Sequence, residues 1–171
     1  MRFTIEHAFE CDPDRLWELL RSPDYIAAVD ERAGLTRTLL DERQVRDEWV
    51  QRIRFVPDRS LPPAAQKAMG REKLEYVQEQ RWRNRDRSMR WRVDIAGLEG
   101  RYESHGDLLV AQARKGWCNR RVHGLVTVSL PLIGERIAKR IIVDIEESYE
   151  GAAVATRELL STRGPESDNS L

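Results

Sequence analysis

The chain opens on a strict alternation of apolar and polar positions. Phe3, Ile5, His7 and Phe9 fall on one side of an extended segment, with Arg2, Thr4, Glu6, Ala8 and Glu10 on the other, so the first side needs a covering layer. Asp12 before Pro13 and Ser22 before Pro23 then supply two helix starts, each an N-cap residue ahead of a proline whose missing N–H costs no intrahelical bond. They predict two short helices, the first burying Leu16, Trp17, Leu19 and Leu20 and the second carrying Tyr25, Ile26 and Val29. Helices this short are marginal alone in water and must be held by packing.

Extended periodicity returns after Gly34. LTRTLLDERQV and DEWVQRIRFV read as two strands reversing near Arg46 and Asp47, and the second sets Trp49, Gln51, Ile53 and Phe55 against Val50, Arg52, Arg54 and Val56. Pro57 ends it, and Pro62, Pro63 and Gly70 frame a brief helical connector. Between Glu72 and Ser129 four more strands follow, one with Leu74, Tyr76, Gln78, Gln80 and Trp82 on a face, the next with Met89, Trp91, Val93 and Ile95. Strands at this spacing argue a meander of hairpins, not the strand and helix alternation of a parallel sheet. The last element changes period: Ile133, Ile137, Ile141, Ile145 and Tyr149, flanked by Ala138, Ile142, Ala152 and Ala153, predict a helix over 132–160. At 1.5 Å per residue such a helix is roughly 44 Å long, enough to cross a sheet.

These elements define an α+β fold: a curved antiparallel sheet wrapped around a long C-terminal helix, with two short helices after the first strand. A length of 171 residues fits one domain, expected over 1–160, with the polar run 161–171 expected to be a disordered tail.

FTIEHAFECDPDRLWELLRSPDYI resembles the opening of the helix-grip fold of the START and Bet v 1-like (SRPBCC) superfamily, in which a strand meets a capped proline turn and a Trp-containing helix. VTVSLPLIGERIAKRIIVDIEESYE, with the inserted SLPPAAQKAMG, is similar to a bacterial family of uncharacterised function within it, DUF2505. The resemblance implies a place for a lipid, sterol or polyketide-like molecule between sheet and helix. A minority of the superfamily are cyclases or hydrolases, and the resemblance transfers no catalytic residue to this chain.

Charge narrows the partners. Basic and acidic residues balance at 29 each, giving no chain-wide reason to expect nucleic acid or an anionic membrane surface. No run approaches the 18 or so apolar residues of a transmembrane span. Cys11 and Cys118 fit no metal-ligand spacing, and with an opening that carries no apolar targeting stretch they read as reduced thiols of a cytoplasmic protein.

Local chemistry is sparse. His7, His105 and His123 form no helical pair, and HExxH, CxxC and GxSxG are all missing, so no metal, cofactor or serine nucleophile is expected. Gly134, at the start of the long helix, reads as a point of close approach between helix and sheet. RWRNRDRSMRWR places six arginines between Arg81 and Arg92 around Trp82 and Trp91, a pattern that can bind nucleic acid. The same alternation is explained by Trp82, Met89 and Trp91 facing the helix while the arginines face water. Gln78 and Gln80 interrupt an apolar face, and Asn119, Arg121 and His123 are read as sharing an inner face on the last strand; in an apolar cavity such groups can orient a ligand. The expected ligand site is therefore drawn from Trp49, Phe55, Tyr76, Gln78, Trp82, Trp91, Arg121, His123, Ile137 and Ile141. The competing readings are a cyclase or hydratase using His123, Arg121 or Tyr76, and a nucleic-acid or protein interaction module. A homodimer is compatible with the chain, but no heptad or symmetry signal identifies an interface.

Overall fold

The computed structural model describes residues 1–162, with only the backbone described at positions 64, 65 and 68; the predicted tail from 163 onward lies outside the described residues. β1 (Arg2–Phe9) leads into α1 (Pro13–Leu19) and α2 (Pro23–Ala33), then β2 (Leu35–Val45), β3 (Glu48–Pro57) and the connector α3 (Pro63–Met69). β4 (Tyr76–Arg83), β5 (Ser88–Asp94), β6 (Tyr102–Arg114) and β7 (Trp117–Val128) complete the meander ahead of α4 (Gly134–Thr162). All seven strands pair antiparallel in one sheet, ordered β1-β7-β6-β5-β4-β3-β2. The sheet curls around α4, which packs on α2, β7 and β1.

The caps form as their residue types dictate. Asp12 Oδ1 accepts from the Asp14 N–H at 2.9 Å and Ser22 Oγ accepts from the Tyr25 N–H at 3.3 Å. Gly34 ends α2 in the left-handed region at φ 58°, a conformation that costs a glycine little. In β1, Phe3, Ile5, His7 and Phe9 are all buried, and α1 lays Leu16 and Trp17 on the core. Cys11 and Cys118 are free thiols, buried with their Sγ atoms 3.5 Å apart.

α4 begins two residues later than its pattern suggests. Leu132 takes a left-handed φ of 67° and Ile133 is exposed, so neither joins the helix. Gly134 then sits where a Cβ would lie 2.1 Å from the Val128 carbonyl oxygen, and only a glycine allows helix and strand to approach so closely. The deepest stripe of α4 is Ala138, Ile142, Ala152, Ala153, Ala155 and Thr156. Ile141, Ile145 and Tyr149 lie beside that stripe, half-buried, over open space.

On the outer face of the sheet the arginine-rich hairpin is neutralised in place. Arg81, Arg83 and Arg90 all reach Glu48, which is only 8% exposed, while Arg81 also binds Glu79 and Arg92 binds Asp94. These guanidiniums hold the Glu48 carboxyl below the usual carboxylate range despite the opposing effect of burial.

Candidate functional site

Between the inner face of the sheet, α2 and the middle of α4 lies a cavity of about 790 Å³, within the range of small-molecule sites. The sheet supplies the wall through inward positions of consecutive strands: Trp49 and Phe55 of β3, Tyr76, Gln78 and Trp82 of β4, Trp91 of β5 and Tyr102 of β6. Ile141, Ile145 and Tyr149 of α4 and Tyr25, Ile26 and Val29 of α2 close the opposite side. The mouth is polar, framed by Glu31, Asp58, Arg59 and Glu147. There Arg59 pairs with Asp144 of α4 at 3.2 Å, and the guanidinium of Arg37 is held by both oxygens of Asp30 at 2.7 and 2.8 Å.

One row of the sheet sets the place of Trp91, the member of it that lines the cavity. Trp91, Gly106, Gly124 and Phe3 are register partners across β5, β6, β7 and β1. With no side chain on either glycine, the Trp91 and Phe3 rings extend over them and stack, with centroids 6.4 Å apart. A Cβ on Gly106 would lie 2.1 Å from the His123 carbonyl oxygen and 2.7 Å from the Trp91 ring, and one on Gly124 would meet the Phe3 ring at 2.3 Å.

The polar groups of the wall form a directed chain. The Trp82 Nε1–H donates to Gln80 Oε1 at 3.1 Å, and Gln80 Nε2 donates to Gln78 Oε1 at 2.7 Å. All four tyrosines of the chain, Tyr25, Tyr76, Tyr102 and Tyr149, line the cavity. Burial raises the pKa of every one, pushing Tyr76 and Tyr149 up to about 12, so their hydroxyls stay protonated through the neutral range.

Seven of the ten expected site residues line this cavity: Trp49, Phe55, Tyr76, Gln78, Trp82, Trp91 and Ile141. Ile137 is half-buried on α4 without reaching the lining. Arg121 and His123 are corrected: both point outward, Arg121 binding Glu6 at 3.0 Å and His123 Nδ1 lying 2.9 Å from Thr4 Oγ1. The inner face of β7 is the even-numbered one, marked by Cys118, Val122 and Val126, and the expected phase was off by one residue.

That shift hid Arg120, which is 0% exposed. Its Nη2 donates to His7 Nδ1 at 3.0 Å and to the Tyr149 carbonyl at 3.1 Å, with Tyr25 Oη 3.5 Å from Nη1. The guanidinium carbon lies 5.5 and 5.2 Å from the Phe9 and Tyr149 ring centroids. The Cys118, Val122, Val126 parity in the sequence was the signal that could have found it. Among the described residues no group of three or more His, Cys, Asp or Glu could hold a metal, and neither histidine nor cysteine lines the cavity.

A seven-stranded antiparallel sheet gripping a long C-terminal helix over an aromatic-walled cavity is the helix-grip fold of the START-like superfamily. The chain belongs to the family described as "protein of unknown function (DUF2505)", which matches residues 4–160. Solved structures agree on the fold. TTHA0849 from Thermus thermophilus superposes with a TM-score of 0.67 at 12% identity, covering 96% of this chain and all (100%) of that one. The Zhui aromatase/cyclase from Streptomyces sp. R1128 gives 0.64 at 10% identity, with 99% and 100% covered. A START superfamily protein from Mycobacterium smegmatis gives 0.61 at 9% identity, with 95% and 99% covered. A comparison with curated protein sequences finds no match.

Proposed function

We propose that this protein binds a hydrophobic small molecule, of lipid, sterol or polyketide-like size, in the cavity between sheet and α4. The carrying observation is the cavity itself: about 790 Å³ beside a helix whose Ile141, Ile145 and Tyr149 line it at the edge of the packed core. A chain of this size gains stability by filling its interior, since empty apolar volume is destabilising. A retained cavity with an open, charged rim therefore favours a ligand over a solid core. Similar folds include a protein described as an aromatase/cyclase, and a reaction on the bound molecule is the second reading. Binding is preferred because, of the three residues on which the reaction reading rested, His123 and Arg121 face outward and only Tyr76 lines the cavity, where burial raises the pKa of its hydroxyl.

Native mass spectrometry of protein purified from its natural host, followed by solvent extraction, tests the proposal. The expected result is one apolar molecule per chain, displaced when Trp91 or Ile141 is altered. A ligand-free protein that also fails to take up apolar probes overturns it.

A further inference from the structure

We infer that the cavity selects a neutral apolar ligand bearing a carbonyl oxygen, which accepts a hydrogen bond from the free amide group of Gln78. The inference rests on the cavity being a ligand site, and it follows from the direction of the hydrogen-bond chain along β4. An indole N–H can only donate, so the atom 3.1 Å from Trp82 Nε1 must be the Gln80 oxygen. That fixes the Gln80 amide and turns its nitrogen toward Gln78, 2.7 Å from Oε1. The orientation of Gln78 follows in turn: its oxygen is used, and its NH2 group ends the chain with no acceptor among the described residues. Amide assignments are ordinarily ambiguous, but here a donor-only group at one end propagates a single choice along the chain.

The neighbouring strand repeats the polarity. Trp91, the register partner of Gln80, has its Nε1 buried without any acceptor among the described residues. Trp91 thus holds a buried unused donor, and the Gln78 NH2 group, which faces the open cavity, would become one beneath a bound ligand that offered it no acceptor, which is unfavourable. A ligand that supplies an oxygen relieves this; a hydrocarbon does not. The donors are neutral, and Arg37 and Arg59 beside the cavity are paired with Asp30 and Asp144, while Arg21 lies over the Trp17 ring with no carboxylate partner and its Nε unpaired among the described residues. Burying a carboxylate beside neutral donors is costly without a paired cation, which favours a ketone or quinone oxygen.

Fluorene, fluorenone and fluorene carboxylate separate the alternatives, since they share one ring system. The full chain is titrated with each while tryptophan fluorescence is followed, and the infrared carbonyl stretch of bound fluorenone is recorded. The expected result is fluorenone binding about tenfold tighter than fluorene, equal to about 1.4 kcal/mol, with the stretch shifted to lower frequency. Gln78→Leu should remove both effects, the roughly tenfold preference for fluorenone over fluorene and the shift of the stretch. Equal affinity for fluorene and fluorenone, or an unshifted stretch in the wild-type protein, overturns the carbonyl inference and leaves the cavity reading standing. Tightest binding by the carboxylate also overturns it, in favour of Arg21. Failure of all three to bind overturns the cavity reading itself, and the inference with it. The wild-type comparisons need no variant, so a Gln78→Leu protein that does not fold leaves the test decisive.

Discussion

Arg120 brings a full positive charge into the interior with neutral partners around it. A guanidinium can only donate, so His7 Nδ1 accepts from it and the imidazole proton sits on Nε2, which donates to Glu150 Oε1 at 2.8 Å. The buried guanidinium is thus linked by hydrogen bonds through an imidazole to a carboxylate at the surface. Changing Arg120 to Met leaves His7 Nδ1 without its donor and the Tyr149 carbonyl with only its bond inside α4, and urea denaturation should show a loss of about 2 kcal/mol. Arg121→Ala, one residue away and solvent-facing, should leave the urea midpoint nearly unchanged, because its pair with Glu6 is exposed. In the sequence this contrast was carried only by the parity of Cys118, Val122 and Val126. β7 contains Asn119, Arg120, Arg121 and His123 in close succession, so polarity does not mark its faces, and a shift of one exchanges every side chain between core and water. β1, by comparison, alternates without a break, and its buried set was legible at once.

The elements most open to a sequence reading were those with an internal rhythm: the capped helices, the hairpin strands and α4. Relations between elements were not, because they depend on register. The row Trp91, Gly106, Gly124 and Phe3 joins four strands, and its glycines carry no turn signature; they are required by two rings drawn from distant parts of the chain. Gly106→Ala should therefore destabilise the sheet by about 1–3 kcal/mol, measured by chemical denaturation, since the added methyl meets a backbone oxygen that cannot move aside. α4 offers a second test on adjacent residues. Ile142 is in the buried stripe and Ile141 lines the cavity. Ile142→Ala should cost about 2–5 kcal/mol, while Ile141→Ala should cost distinctly less and instead weaken the binding of an apolar fluorescent probe. Equal stability losses with unchanged probe binding would show that Ile141 is core. The helical period alone put both residues on one broad apolar face, and only the width of the gap above the sheet separates their roles.

At the scale of the whole molecule, charge and apolar surface are kept apart. The 29 basic and 29 acidic side chains balance, and the densest arginine cluster is tied to Glu48, Glu79, Asp86 and Asp94 on the outside of the sheet. Filter binding should accordingly detect no association with RNA or DNA even at low salt, where phosphate contacts are strongest. The meander and the helix it grips were legible from periodicity, but the cavity was not, because aromatic residues of this size can equally fill such a space. Its tyrosines provide the means to measure it. Each of the four is shifted upward by burial, Tyr76 and Tyr149 to about 12, against about 10 for an exposed phenol. A group whose folded pKa is raised contributes stability that is complete below the unfolded value and is lost as pH rises toward the folded one. The loss should therefore fall between about pH 10 and pH 12, and each of Tyr76 and Tyr149 should withdraw about 2–3 kcal/mol by the upper end. Against a total stability of about 5–15 kcal/mol, the roughly 4–6 kcal/mol withdrawn by these two is enough to unfold a chain at the lower end of that range. Alkaline titration should then show little tyrosinate absorbance until circular dichroism collapses, with both signals changing together. Tyr76→Phe should move that collapse to higher pH, because one ionisable phenol has been taken from the unfolded state. Tyrosinate appearing near pH 10 with the fold intact would mean that water reaches these rings freely, and the cavity would then be a solvent-filled cleft instead of a protected apolar site.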